Sequence, residues 1–274
     1  MTDVPANFTT GQIIRHLRER RGMSRPVLAG LVGYSASLAQ HLAVDITEPE
    51  VGRVLVDRAA RAAKLADDPV SLAIGAWSYG HVLRSLDADR ALRIVSAAAD
   101  ELEQHMSDDA DAAGLFGSLN LHCAVSAAHQ GADGAAWRFW DIAETISRRL
   151  PMGYSHPLTA FGSENVAIHG VSIASTLRRP GEAVQRAGRI DADRVPSRER
   201  RGRLFGEIAD GHMERGETAD ALRFLERSYQ TSPEAAPFSP LTRGVAVELV
   251  RSARGPVKDA ATTLAERMGI LPAA

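Results

Sequence analysis

Cysteine is nearly absent. Cys123 is the only one in 274 residues, which rules out an intrachain disulfide framework and a cysteine-based zinc site. Aromatic residues make up only 5% of the chain, and no stretch alternates Val, Ile, Thr or Tyr as a half-buried strand would. Alanine is abundant instead, and the composition predicts closely packed helices: an all-α protein. No run approaches the ~20 uninterrupted apolar residues of a membrane span, and the polar N-terminus does not resemble a signal peptide. A cytoplasmic protein without membrane contact is expected. Charge of one sign is also missing. A net charge of −2 excludes a general polyanion binder, so any basic surface must be local. The HExxH, GxGxxG and P-loop signatures do not occur. His122 and Cys123 are adjacent and point to different helix faces, so they do not make a dyad. His105, Asp108, Asp109 and Asp111 read as a solvated acidic loop between helices. No enzyme, cofactor or metal site is expected.

What is present is helical hairpins. Apolar periodicity predicts a helix over 51–66, then pairs over 69–85 and 89–105, 109–130 and 134–150, 162–178 and 182–190, 198–215 and 218–231, and 241–253 and 257–268. Hairpin turns recur near 87, 131, 181 and 216, and a period of roughly 35–50 residues marks stacked helical repeats. The unit beginning at Leu204, LFGEIADGHMERGETADALRFLERSY, is the clearest. Gly206 and Ala209 allow close helix contact, Gly216 makes the turn, and Ala221 sits where the second helix packs.

The stretch Ser24–Leu42, SRPVLAGLVGYSASLAQHL, has a different layout. Ser24 is a good N-cap with Pro26 in the first turn. Val27, Leu28, Leu31 and Val32 make one apolar face, Gly33-Tyr34 reads as a turn, and Ser35 caps a second helix. A preceding helix over 10–21 would contribute Ile13, Ile14 and Leu17. Five arginines face one Asp and one Glu within residues 1–42. This pattern predicts a helix-turn-helix domain over 1–45, in which Ser35, Ser37, Gln40 and His41 approach DNA while Arg18 and Arg25 hold phosphates. A lone module reads half a site, so a homodimer is expected.

These residues resemble the N-terminal half of the XRE class, the lambda-repressor-like DNA-binding module, with LRERRGMSRPVLAGLVGYS following that class closely. The second helix departs from it at His41-Leu42-Ala43-Val44-Asp45, and no Lys or Arg occurs between Arg25 and Arg53. The segments DPVSLAIGAWSYGHVLRSLDADRAL, HPLTAFGSENVAIHGVSIASTLRRPGEAVQRAG and LVRSARGPVKDAATTLAERMGI resemble XRE regulators of actinobacterial type with a C-terminal tetratricopeptide-like domain, here 51–274. The resemblance implies a DNA-binding transcriptional regulator whose repeats sense a small molecule or peptide. The shortened module leaves open a second reading, a ligand- or protein-binding repeat protein that no longer binds DNA alone, and behind it a third, an enzyme built on the same groove.

In such a repeat the first helix of each hairpin lines the groove. Trp77 and His81, Asn120 and His122, Trp137 and Trp140, and Phe161, Asn165 and His169 are the candidates for an aromatic wall with a few polar groups, which suits a small ligand. The alternative for Trp77, Trp140 and Phe161 is packing within and between repeats. The run RVPSRERRGR over 194–203 is the strongest basic segment, a solvated helix start or a contact for an anion.

Overall fold

A computed structural model describes residues 15, 18, 19, 21–45, 49–84, 86–106 and 109–271. The fold is all-α, and no strand occurs among the described residues. In chain order the helices are α1 (Arg25–Asp45), α2 (Pro49–Ala66), α3 (Pro69–Arg84), α4 (Ala88–Glu103), α5 (Ala110–His129), α6 (Asp133–Arg149), α7 (Ser163–Thr176), α8 (Pro180–Ala187), α9 (Arg198–Glu214), α10 (Thr218–Thr231), α11 (Pro240–Ser252) and α12 (Gly255–Arg267). No described helix is long and apolar enough to cross a membrane.

Local chemistry sets the boundaries. Asp87, Asp109 and Ser197 accept hydrogen bonds from the backbone N–H groups of Arg90, Asp111 and Arg200, satisfying donors that a helix start leaves orphaned. Pro69, Pro180 and Pro240 open helices, where a missing N–H costs little. The turns after α5 and α9 pass through left-handed Gly131 and Gly216.

Successive helices pack as hairpins, and α1, α3, α5, α7, α9 and α11 also pack on one another in series. These odd-numbered helices form an inner row and the even-numbered ones lie outside it. The sequence reflects the division. Outer α4 buries Ala91, Val95, Ala99 and Leu102 on a single face, whereas inner α5 buries 16 residues from Ala112 to Ala128. At ~25 cal/mol per Å² of apolar surface removed from water, the alanine and leucine faces stabilise the stack by summing many small contacts. Small residues let the rows approach. A side chain at Gly206 would meet Thr242 Cγ2 of α11 at 2.8 Å, and Ala209 and Ala221 are fully buried.

The N-terminal stretch differs from expectation. No turn forms at Gly33-Tyr34, because α1 runs unbroken from Arg25 to Asp45. Gly33 lies on the buried side of this helix, and a Cβ added there would meet Ala59, Ala62 and Ala63 of α2 at ordinary contact distances. The residue therefore sits within a helix packed on α2 rather than at a chain reversal. The expected apolar core face is turned outward: Val27 and Leu31 are 53% and 54% exposed. Ala36 and Ser37 are buried in its place. α1 and α2 pack as a hairpin, with α3 packed on both.

Between α6 and α7 the chain makes a pinned loop. His156 N–H donates to Phe161 O and Ala160 N–H to His156 O, both at 2.9 Å. The His156 Nδ1 accepts the Leu158 and Thr159 N–H groups. This loop drives Phe161 into α5, against bare Gly117.

Candidate functional site: an arginine-lined cleft

The inner row carries a cleft of about 80 Å³ lined by Trp77, His81 and Arg84 of α3, Ser118, Leu121, His122 and Val125 of α5, Thr159 of the loop, Asn165 and His169 of α7, and Arg200 and Arg203 of α9. Helical spacing explains the set: Trp77, His81 and Arg84 fall at i, i+4 and i+7, and Asn165 and His169 at i, i+4, so each group shares one face.

Hydrogen bonds fix the imidazole tautomers. His81 Nδ1 lies 2.8 Å from Trp77 O, and His169 Nδ1 lies 2.8 Å from Asn165 O. A carbonyl can only accept, so both rings carry their proton on Nδ1. His122 is the reverse. Arg84 Nη2 donates to its Nδ1 at 2.7 Å, which places the proton on Nε2, a buried atom without a partner. The rings of Trp77, His81 and His122 follow one another at centroid distances of 4.7 and 4.8 Å. Bare Gly80 admits the His122 ring against α3: a Cβ there would meet its Nε2 at 2.7 Å.

The cleft is electropositive through arginine. Burial, and then the charges of Arg200, Arg203 and Arg84, push the His169 pKa down to about 3, against the Asn165 carbonyl, which raises it. Burial and Arg84 likewise hold His122 well below 6.5. Both imidazoles are neutral at pH 7. Burial and neighbouring Arg203 lower even the Arg84 guanidinium to about 10, so it keeps its charge. No carboxylate is among the lining residues. The closest acids are Glu199, 3.5 Å from Arg200, and Glu207, 3.5 Å from Arg203 and accepting the Ser172 hydroxyl at 2.6 Å.

The structure sorts the sequence candidates. Trp77, His81, Asn165 and His169 converge here. Asn120, Trp137, Trp140 and Phe161 do not. Asn120 is buried in α5 and donates to Phe116 O. Trp137 and Trp140 stack edge to face under the Arg186 guanidinium, and Trp140 Nε1–H donates to Val166 O, tying α6 to α7 and α8. Phe161 is fully buried. Arg84, Ser118 and Thr159 were not expected. Arg84 stands alone in an apolar helix and gives no signal in the sequence, whereas the basic run over 194–203 contains Arg200 and Arg203. Of the DNA-contact candidates, Ser37 is fully buried. Arg18 donates to Met23 O and pairs with Glu19. Arg25 and Ser35 are exposed. The side chains of Gln40 and His41 lie outside the described residues, as do Ile13, Ile14 and Leu17 of the expected first helix. Among the described residues no three His, Cys, Asp or Glu side chains gather as metal ligands. No family model matches the chain, and no curated protein matches it.

Proposed function

We propose that the chain is a cytoplasmic ligand receptor on a helical-repeat scaffold, with the inner cleft as its binding site. One observation carries the reading: five successive segments, α3, α5, the 151–162 loop, α7 and α9, converge polar groups on a single concave site whose buried polar atoms are incompletely paired. Natural interiors pair such groups, and exceptions mark sites where something else is bound. A panel of small metabolites and short peptides, charged and neutral, should include compounds that raise the melting temperature and change indole fluorescence, with Trp77→Phe removing the fluorescence response. Failure of every compound to do either would reject the receptor.

The DNA-binding regulator is the second reading, favoured by the exposed Arg15 and Arg21 before α1 and Arg25 at its start. The unbroken α1 and buried Ser37 favour a receptor that does not read DNA by itself. A gel shift with genomic fragments at ~50 mM salt, where phosphate contacts are strongest, discriminates: salt-sensitive binding supports the regulator. Self-association belongs to either reading, and the exposed Val27, Leu31, Leu38, Val51 and Val54 of the first hairpin give it an apolar surface. Sedimentation showing only monomer at micromolar concentration would remove it.

A further inference from the structure

We infer that the cleft takes a compact oxyanion, the carboxylate or phosphate group of a small molecule, held by Arg84, Arg200 and Arg203. The inference rests on the receptor reading and names the charged end of its ligand.

Three arginines from α3 and α9, far apart in sequence, line one cavity that holds no acid. Like charges do not converge on a concave, partly desolvated space without cost, and that cost is offset when an anion sits among them. Arg84 makes the case sharpest. Among the described residues no carboxylate lies within ion-pair distance of it, its one side-chain partner is neutral His122, and its Nε–H is buried without an acceptor. A guanidinium presents five donors in a fixed fork suited to two oxygens of one oxyanion. Arg200 and Arg203 each have a carboxylate at 3.5 Å outside the lining, Glu199 and Glu207, so Arg84 is the charge of the cluster that lacks an acid. The remaining polar lining is neutral: Ser118 donates its hydroxyl proton to Gly114 O and lies 2.6 Å from the Thr159 hydroxyl, so these groups add no charge to compete with an anion. At about 80 Å³ the cavity fits one oxyanion group.

The test is calorimetric titration and thermal unfolding of the full chain at pH 7 with inorganic phosphate, citrate and glycerol, at ionic strength matched with sodium chloride. Phosphate or citrate is expected to bind saturably and raise the melting temperature, and glycerol is not. Arg203→Gln should weaken the anion at least tenfold. Arg84→Met should abolish its binding, with helical circular dichroism checking that the ligand-free variant is folded. Phosphate alone binding assigns a phosphate ester, and citrate alone assigns a carboxylic acid. If neither anion binds beyond chloride, or if both variants bind as the parent does, the inference is overturned. Arg203→Gln keeps the test decisive should Arg84→Met fail to fold. A neutral compound from the metabolite panel that binds while both anions fail would leave the receptor standing and the oxyanion rejected.

Discussion

Arg84 Nη2 donates to His122 Nδ1 at 2.7 Å, joining α3 to α5 by a bond between a cation and a neutral ring. A buried cation usually meets a carboxylate, and here the acceptor is an imidazole lone pair. The bond survives only while His122 is unprotonated, so it couples the fold to acidity.

Stability should accordingly fall in mild acid. In the unfolded chain an imidazole protonates near 6.5, while folded His169 protonates only at about 3. Between those values the unfolded state holds the extra proton, so stability declines as pH drops through 6.5 and keeps declining towards 3. The slope is at most ~1.4 kcal/mol per pH unit for one such group, and His122 adds in the same direction. Urea unfolding at pH 7 and pH 5 measures it. His169→Gln should lose less stability between the two than the parent, and an unchanged pH dependence would refute the assignment.

Asp210 should behave oppositely. Burial, and then the neighbouring Glu214 and Glu207, raise its carboxyl to about 6. A group whose folded pKa is raised gives stability that is present at low pH and lost as pH rises through that value. Asp210→Asn should therefore stabilise the protein by ~1 kcal/mol above pH 6, a figure reduced for the side chain's partial exposure. The gain should vanish near pH 4 in the same urea measurements.

Gly33→Ala separates a continuous α1 from a turn. A Cβ at Gly33 would lie 3.5 Å from Ala59 O and 3.6 Å from Ala62 Cβ, ordinary contacts in a helix interior. Alanine should then stabilise by roughly 0.5–1 kcal/mol through helix propensity. A loss of stability with reduced helical circular dichroism would show that the chain reverses at this residue.

Gly117→Ala should be costly. Its Cβ would overlap the Phe161 ring, and overpacking a filled core costs ~1–3 kcal/mol. Phe161→Leu should relieve part of that penalty, so the double variant should be more stable than the sum of the singles predicts, a coupling that a double-mutant cycle reads directly. Strict additivity would mean the two residues do not meet.

Much of the fold was legible. Observed helix bounds such as Pro69–Arg84 and Thr218–Thr231 fall within a residue or two of those expected from periodicity, because outer helices such as α4 carry apolar residues on one face only. Ser24–Leu42 misled for a physical reason. In an alanine-rich stack, small residues rather than large ones face the neighbouring helix, so Gly33 and Ser37 mark the buried side and Val27 and Leu31 the outer one. The same reversal governs the site. Aromatic residues were expected to build it, yet Trp137, Trp140 and Phe161 are packing elements, and arginines define the cleft. Arg84 could not be singled out because its significance lies in the acid it lacks, and that is a property of the folded neighbourhood.

The near-complete burial of α5 has a kinetic consequence. In a linear stack each hairpin gains stability only from its immediate neighbours, so order spreads outward from wherever it first holds. With apolar residues covered on every side from Ala112 to Ala128, α5 is the segment whose amides should exchange last with solvent, through opening of the whole stack, while less buried helices exchange through local opening. The chain would then fold from its middle, and the α3–α5 wall of the cleft would form before the α9 arginines that complete it.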